Sequence, residues 1–185
     1  MNSSPDFRGF PKISRLTRNI VITEKIDGTN AQIVITEDGD MFIGSRKRWI
    51  TPENDNFGFA RWVEGNKSDL LMLGPGQHFG EWWGQSIQRK YGLDHKRFSL
   101  FNTHRWLDNS IRPECCYVVP VLYQGLYDDW AIQRALNDLK FYGSLAAPLF
   151  MKPEGIVIWH EHARVYFKKT IENDEIPKYL KNKGS

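Results

Sequence analysis

Short apolar runs separated by turn residues recur along the chain, and they predict a fold rich in β-strands. Residues 20–23 are all β-branched, and residues 31–36 alternate small or apolar side chains with polar ones, as a half-buried strand does. Residues 41–45 follow the turn signal of residues 37–40, so we predict a β-hairpin there. Further strands are predicted at residues 98–102, 118–123, 156–158 and 164–169, with Pro120 favouring a sheet edge.

Helical periodicity is clearest in one segment of the second half of the chain. Asp128 and Asp129 are typical N-terminal capping residues, and Gly143 is a typical helix stop. Between them, apolar residues recur with the spacing of a helix that packs on a sheet: Ile132, Ala135, Leu136 and Leu139. A second helix is predicted around residues 56–63, and residues 1–19 are predicted to be an extended lead-in.

Composition places the chain among globular proteins of one domain. It has 185 residues, of which 41% are hydrophobic and 25% charged, and we expect one domain over residues 1–185. A net charge of +3 permits a nucleic-acid partner without requiring one. We expect no membrane span and no signal peptide, and the adjacent Cys115 and Cys116 fit a reducing cytoplasm.

The candidate chemistry is concentrated between the first two predicted strands, in residues 24–30 (EKIDGTN). Asp27-Gly28 predicts a tight turn, because glycine accepts a positive φ. A lysine amine becomes a nucleophile when burial or neighbouring cations favour its neutral form, so Lys25 is a candidate for covalent catalysis. For this tetrad alone, the alternative is an ordinary hairpin with a surface lysine.

The sequence Lys25-Ile26-Asp27-Gly28 resembles the nucleotide-accepting motif of the covalent nucleotidyltransferases, which include ATP-dependent ligases and mRNA capping enzymes. The longer form, with Glu24 before it and Thr29-Asn30 after it, looks most like double-strand-repair-type RNA ligases of phages and trypanosome mitochondria. The resemblance runs from about residue 24 to about residue 169. It implies an α+β nucleotidyltransferase (adenylyltransferase) fold, in which antiparallel sheets form a nucleotide cleft flanked by helices.

Three further motifs of this family have counterparts in the middle of the chain. Arg46, on the return strand of the hairpin, matches an arginine at the nucleotide site. Glu81 matches a carboxylate that holds the ribose. Phe101 matches the aromatic residue that stacks on adenine, with Phe98 as the fallback.

The last two motifs contain the metal carboxylate and the phosphate-binding lysines. Glu154 opens the sequence E-G-I-V-I and matches the carboxylate that binds the catalytic metal or its water shell. Lys168 and Lys169 depart from the usual K-x-K, because adjacent strand residues point to opposite faces. We expect Lys168 to reach the phosphate, with Tyr166 on its face and Phe167 toward the core.

The resemblance implies ATP and Mg²⁺ (or Mn²⁺) as cofactors and a three-step reaction. The Lys25 amine takes AMP from ATP, AMP passes to a nucleic-acid 5′-phosphate, and a 3′-hydroxyl then displaces AMP and seals the strand. Glu24 would lie near the adenine edge, while Ile26, Asp27, Gly28 and Asn30 would shape the pocket. RNA is favoured over DNA because of Glu24 and the Thr29-Asn30 extension.

Relatives usually carry a further OB-fold or helical domain after the last lysine motif, whereas only residues 170–185 follow it here. We therefore expect a stand-alone nucleotidyltransferase domain without that second domain, acting as a monomer in the cytoplasm, or in the host cytoplasm if phage-encoded. It would be a minimal ligase, an enzyme that adenylylates itself but seals poorly, or a fragment of a longer protein. The alternatives are an ATP-dependent DNA ligase, a guanylyltransferase of the capping type, and a non-catalytic domain that binds nucleotides or nucleic-acid ends.

Overall fold

Two β-sheets form the frame of the molecule, and the computed structural model describes residues 6–175. The strands are β1 (Asn19–Lys25), β2 (Thr29–Ile35), β3 (Met41–Ser45), β4 (Gly76–Gly84), β5 (Lys96–Leu100), β6 (Cys116–Val118), β7 (Val121–Leu126), β8 (Gly155–His160) and β9 (Val165–Thr170). The helices are α1 (Phe59–Gly65), α2 (Lys67–Leu70), a 3₁₀ turn at Leu71–Leu73, α3 (Thr103–Trp106) and α4 (Asp129–Tyr142). This arrangement confirms the predicted α+β class.

The four-stranded sheet has the order β7-β1-β8-β9, and all its pairs are antiparallel. One of its faces is apolar because Ile20 and Ile22, two residues apart on β1, point to the same side, as do Ile156 and Ile158 of β8. This face packs on α4, whose buried side chains include Ala135, Leu136 and Leu139. We call it the helix face of the sheet. The opposite face, which carries Lys25, is called the lysine face.

The five-stranded sheet has the order β3-β2-β4-β5-β6 and packs around an aromatic core. Phe59 of α1 lies with its ring centroid 5.3 Å from that of Trp82 and 5.0 Å from that of Phe98. The predicted hairpin is confirmed, since residues 31–35 of β2 pair with residues 41–45 of β3. The last pair, β5 with β6, is parallel, so this sheet is mixed and not antiparallel throughout as we expected.

The predicted strand over residues 118–123 is wrong, because it is two short strands that belong to different sheets. β6 ends at Val118 at one edge of the five-stranded sheet, and β7 begins at Val121 at an edge of the other. Pro120 lies at the crossing, where its carbonyl accepts a hydrogen bond from the Glu24 backbone N–H at 3.0 Å. Proline has no N–H to continue a hydrogen-bond ladder, so it interrupts the strand. The two resulting strands, β6 and β7, both lie at sheet edges, which agrees with the edge position predicted from Pro120.

The long helix is confirmed at both ends. The Asp128 carboxylate accepts a hydrogen bond from the Trp130 backbone N–H at 2.9 Å, and Gly143 follows the last turn with φ 82°. The shorter predicted helix begins later than expected, at Phe59, and residues 6–18 form no helix or strand. In the part of the chain that the structure describes, no helix has the length and apolarity needed to cross a membrane. The tail, residues 176–185, lies outside the described residues, and the single-domain prediction stays a prediction.

Candidate active site

The corner that carries Lys25 joins the two sheets. Lys25 is the last residue of β1 in the four-stranded sheet, and Thr29 is the first residue of β2 in the five-stranded sheet. The segment between them is therefore a crossover and not a hairpin turn. This position brings side chains from both sheets around the Lys25 amine.

The glycine of the corner is needed for close packing and not for a turn. Gly28 does not have a positive φ, so the tight turn predicted for Asp27-Gly28 is wrong. A Cβ atom at Gly28 would lie 2.5 Å from the Trp82 carbonyl oxygen and 2.7 Å from the Trp83 Cβ. Only glycine therefore allows the corner to lie against β4 without displacing backbone.

Lys25 forms an ion pair with Glu154, at 2.5 Å from Nζ to Oε2. The two side chains are 23% and 17% exposed, so the pair is accessible from solvent but largely enclosed. Glu154 directly precedes β8, and Gly155 is the register partner of Lys25. A Cβ atom at Gly155, where φ is 154°, would lie 2.2 Å from the Lys169 carbonyl oxygen. The glycine thus keeps the β8–β9 pairing intact beside the catalytic candidate.

Glu81 fixes the corner from the neighbouring strand β4. Its two carboxylate oxygens accept hydrogen bonds from the Gly28 backbone N–H at 3.0 Å and from the Asn30 amide at 2.9 Å. Burial raises the pKa of Glu81 to about 7, and the positive charge of Lys25 only partly offsets that increase. Glu81 is therefore a buried carboxyl group that titrates near neutral pH beside the candidate nucleophile.

The raised pKa of Glu81 predicts a specific loss of stability with pH. Between the ordinary pKa of 4.5 and the folded value of about 7, the folded protein holds a proton that the unfolded chain has released. Stability contributed by this group is therefore present below about pH 4.5 and falls as the pH rises to about 7, by up to roughly 3 kcal/mol.

We expect the unfolding free energy of wild type minus that of Glu81→Gln to be larger at pH 5 than at pH 8. Urea denaturation without nucleotide or divalent cation measures this difference. Glu64→Gln, an exposed glutamate of α1, is the control and should show no such trend. A difference for Glu81→Gln that is flat with pH, or that grows as the pH rises, would contradict the assignment.

Glu24 holds a loop on the helix side of the corner. It is 1% exposed, and its carboxylate accepts hydrogen bonds from the Ser144 hydroxyl and from the Leu145 and Ala146 backbone N–H groups, at 2.5, 2.9 and 3.0 Å. Burial raises the pKa of Glu24, and these three bonds oppose the increase. Both oxygens of Glu24 thus contact protein groups.

Two residues to which the sequence analysis assigned no structural role support the corner from the loop after β4. The Tyr91 hydroxyl accepts a hydrogen bond from the Asp27 backbone N–H at 2.8 Å, and the Arg89 Nε donates to the Asp27 carboxylate at 3.0 Å. The Arg89 Nη1 also donates to the Lys152 carbonyl at 2.9 Å, two residues before Glu154. Arg89 therefore links the segments that carry the two members of the Lys25–Glu154 pair.

Loss of this link should disturb the geometry of the site more than the fold. We expect Arg89→Met to slow covalent nucleotide transfer to Lys25 by about 10-fold or more, because small displacements of reacting groups cost large factors in rate. The rate of labelling at saturating nucleotide measures the effect. Arg134→Met, which removes an exposed pair with Asp138 on α4, is the control and should be close to wild type. Equal rates for both variants would contradict the positioning role.

The register of β9 separates the two adjacent lysines. Lys168 is opposite Val157, which is opposite Thr23, so it lies on the lysine face of the sheet. Lys169 is opposite Ile156, which is opposite Glu24, so it lies on the helix face. Tyr166 shares the face of Lys168, whereas Phe167 is on the helix face but remains 53% exposed.

The aromatic candidates differ in accessibility. Phe101 follows β5 and is partly buried against a small cluster that includes Ile26, Tyr91 and Ala147. The fallback, Phe98, is 0% exposed within the aromatic core and has no open ring face. Arg46 follows β3 and is exposed, and among the described residues it forms no hydrogen bond or ion pair.

A family model described as RNA ligase matches residues 18–179. The chain belongs to the RNA ligase family. The matched range includes every motif of the candidate site, from the Lys25 corner to the lysines of β9.

Solved structures of an RNA ligase from Naegleria gruberi share the fold. A mutant with ATP and Mn superposes with a TM-score of 0.60 at 19% identity, over 90% of this chain and 51% of that one. A second mutant, with AMP and Mn, gives a TM-score of 0.61 at 20% identity, over 90% and 52%. The chain thus spans about half the length of the solved structures that it matches. A sequence search of curated proteins finds no match.

The candidate site fits a divalent cation that takes few ligands from the protein. Within residues 6–175, no group of three or more His, Cys, Asp or Glu side chains could hold a metal ion. Mg²⁺ does not need such a group, since it keeps several waters and takes one or two carboxylates together with substrate phosphates. Glu154, partly exposed beside Lys25, is a suitable donor of that kind.

Proposed function

We propose that this domain is an ATP-dependent RNA ligase that acts through a covalent lysyl-AMP on Lys25. The observation that carries the proposal is the position of Lys25 at the crossover between the sheets, with the Glu154 carboxylate 2.5 Å from its amine. Membership of the RNA ligase family supports RNA as the substrate. The ATP, AMP and Mn present with the Naegleria ligase support the choice of nucleotide and divalent ion.

The first step requires a neutral Lys25 amine. In the resting ion pair the ammonium donates to Glu154, so one proton must leave before the amine attacks the α-phosphorus of ATP. The nitrogen–phosphorus bond then forms as the bond from the α-phosphorus to the bridging oxygen of pyrophosphate breaks. Lys168, on the same sheet face, would supply positive charge to the phosphate oxygens, and Arg46 would contribute from the other sheet.

The next two steps transfer AMP and then release it. An oxygen of the RNA 5′-phosphate attacks the phosphorus of lysyl-AMP, and Lys25 leaves with a proton. The RNA 3′-hydroxyl then attacks the activated 5′-phosphate, AMP leaves, and the hydroxyl proton passes to solvent.

Glu154 would hold the divalent cation, which neutralises charge on the phosphate oxygens when bound. Asp27 would shape the pocket beside it, in the position that Arg89 fixes.

The adenosine pocket would lie next to Lys25 and between elements of both sheets. Phe101 would stack on the base, and Glu81 and Asn30 would reach the ribose or order the corner beneath it. Glu24 would act on the adenine edge mainly through the loop at Ser144–Ala146, because both of its oxygens bind that loop. We also propose that the protein acts as a monomer in the cytoplasm on ends with a 5′-phosphate and a 3′-hydroxyl.

Nucleotide choice and strand choice test the proposal together. The protein is incubated with Mg²⁺ and labelled ATP or GTP, and then with nicked duplexes whose 5′-phosphate strand is RNA or DNA. We expect labelling by ATP and transfer of AMP to the RNA end. Labelling by GTP alone would support a capping-type guanylyltransferase, and transfer to DNA alone would support a DNA ligase. If folded, nucleotide-free protein is labelled by neither nucleotide, the result would support a non-catalytic binding domain.

A further inference from the structure

The lysine face of the four-stranded sheet continues beyond Lys25 into an aromatic pair, of which Tyr166 is exposed and Trp159 is partly buried. Trp159 of β8 and Tyr166 of β9 are register partners, with ring centroids 4.3 Å apart and an interplanar angle of 38°. Tyr166 is 65% exposed, and neither ring belongs to any of the buried clusters of the described chain. We call these two side chains the aromatic platform.

The register gives the platform a defined place relative to the candidate nucleophile. Across the lysine face, Lys25 lies in the row of Gly155 and Thr170. Lys168 is in the next row with Val157, and the platform follows in the row of Val21. Rows on one face are two residues apart, so the platform lies about 13 Å from the Lys25 row, with Lys168 between them.

We propose that the aromatic platform stacks an unpaired base of the nucleic acid whose end is being joined; this inference rests on the proposed function. Bases of single strands stack on aromatic rings without sequence preference, whereas a paired helix presents mainly its backbone. Lys168, exposed in the intervening row, provides the cation that a phosphate on this path requires. The surface is continuous with the candidate active site.

The surroundings of the platform favour nucleic acid over a protein partner. Its own row ends in the exposed amide of Gln124, and the row toward the active site contains Lys168 and Thr23. A docking surface for another domain is expected to have an apolar centre of several large side chains. Val21 and Val157 lie directly beside Trp159, and the same two rows also carry an amide, a hydroxyl and an ammonium group, from Gln124, Thr23 and Lys168. Two rings with only small apolar neighbours and these polar groups match a site for one base and its phosphate.

Binding of single-stranded RNA tests the proposal independently of catalysis. The probe is a fluorescent RNA oligonucleotide with a 5′-phosphate, followed by anisotropy. We expect Tyr166→Ala and Trp159→Ala to weaken binding by about 10-fold or more each, the range found for base–aromatic stacking. Tyr166→Phe keeps the ring and should bind like wild type. Trp130→Ala, a 65% exposed tryptophan of α4 on the helix side, is the matched control and should also be unchanged.

A second readout separates the platform from the nucleotide site. Labelling of Lys25 by ATP should be within about 2-fold of wild type in all four variants, because no platform atom is placed at the ATP site. A blunt RNA duplex should bind wild type and Tyr166→Ala equally.

The proposal is overturned if wild type does not bind the single strand, or if the alanine variants bind it as wild type does. It is also overturned if those variants lose duplex binding or Lys25 labelling as much as they lose single-strand binding. A change in sedimentation alone, which would indicate a surface for protein association, would overturn it as well. The two proposals can also fail separately. If Lys25 forms no adduct but Tyr166→Ala still weakens RNA binding, the proposed function is refuted and the proposal for the aromatic platform is not.

Discussion

Lys25→Ala is expected to abolish covalent labelling by ATP while the protein stays folded. Lys25 is the one residue to which the proposed mechanism assigns the new bond, so no residual rate is expected from charge or geometry alone. The cost in stability should be small, because Glu154 remains partly exposed after its partner is removed. Gel labelling with radioactive ATP, together with a thermal unfolding curve, measures both effects.

Two matched variants sharpen this prediction. Lys140→Ala, an exposed lysine in the last turn of α4, should label like wild type. Lys25→Arg keeps the positive charge and the length but cannot supply a neutral amine, so it should be as inactive as Lys25→Ala. Labelling of Lys25→Arg or Lys25→Ala above the background of heat-denatured protein would mean that another residue is the nucleophile.

Sealing of an RNA end that already carries AMP gives an additional comparison for Lys25→Ala. The third step needs no lysine nucleophile, so the variant should seal a pre-adenylylated end at the rate of wild type. If wild type labels itself but neither protein seals that end, this domain completes only the first part of the reaction.

Glu154→Ala has the second largest expected effect. It removes both the ion-pair partner of Lys25 and the proposed anchor of the divalent cation, so we expect labelling to fall by at least about 100-fold. Glu154→Gln keeps the size of the side chain and a hydrogen-bond acceptor but not the charge. It should be nearly as slow and should need more Mg²⁺ for its residual rate.

The control for Glu154 is Glu161→Ala, which changes an exposed glutamate in the turn after β8. It should show wild-type labelling and the wild-type dependence on Mg²⁺. The account of Glu154 fails if Glu154→Ala labels within about 3-fold of wild type, or if its Mg²⁺ dependence is unchanged.

The fold could be predicted from the sequence where the pattern is local. The alternation along β2, the turn before β3 and the caps of α4 predicted elements that the structure contains, because each depends on residues close together in the chain. The prediction failed at Pro120 and at Gly28. In both places the chain crosses from one sheet to the other, and a crossing depends on contacts with Glu24 or Trp82 that a local pattern does not reveal.

The residues of the candidate site could be predicted where they belong to a recognisable sequence motif. Lys25, Glu81 and Glu154 were identified by a family resemblance, and the structure brings them together around the corner. The contacts of Arg89 and Tyr91 with Asp27 were not predicted, because they join residues more than sixty positions apart in the chain. The available signal was weak: an arginine and a tyrosine in a polar loop that follows Glu81.

The faces of Lys168 and Lys169 follow from a simple physical rule. Alternation alone predicts that Lys168 and Lys169 point to opposite faces. The register then assigns Lys168 to the face of Lys25 and Lys169 to the face of Glu24. Which lysine contacts phosphate stays a prediction, and Lys168→Ala and Lys169→Ala provide a direct comparison.

Direct detection of AMP on Lys25 is the decisive test of the proposed lysyl-AMP intermediate. Nucleotide-free protein is incubated with ATP and Mg²⁺, its intact mass is recorded, and the modified peptide is sequenced by tandem mass spectrometry. We predict the added mass of one AMP on Lys25, lost again when pyrophosphate is supplied, because the first step is reversible. An adduct on another residue, or none on folded protein with either ATP or GTP, would contradict the account.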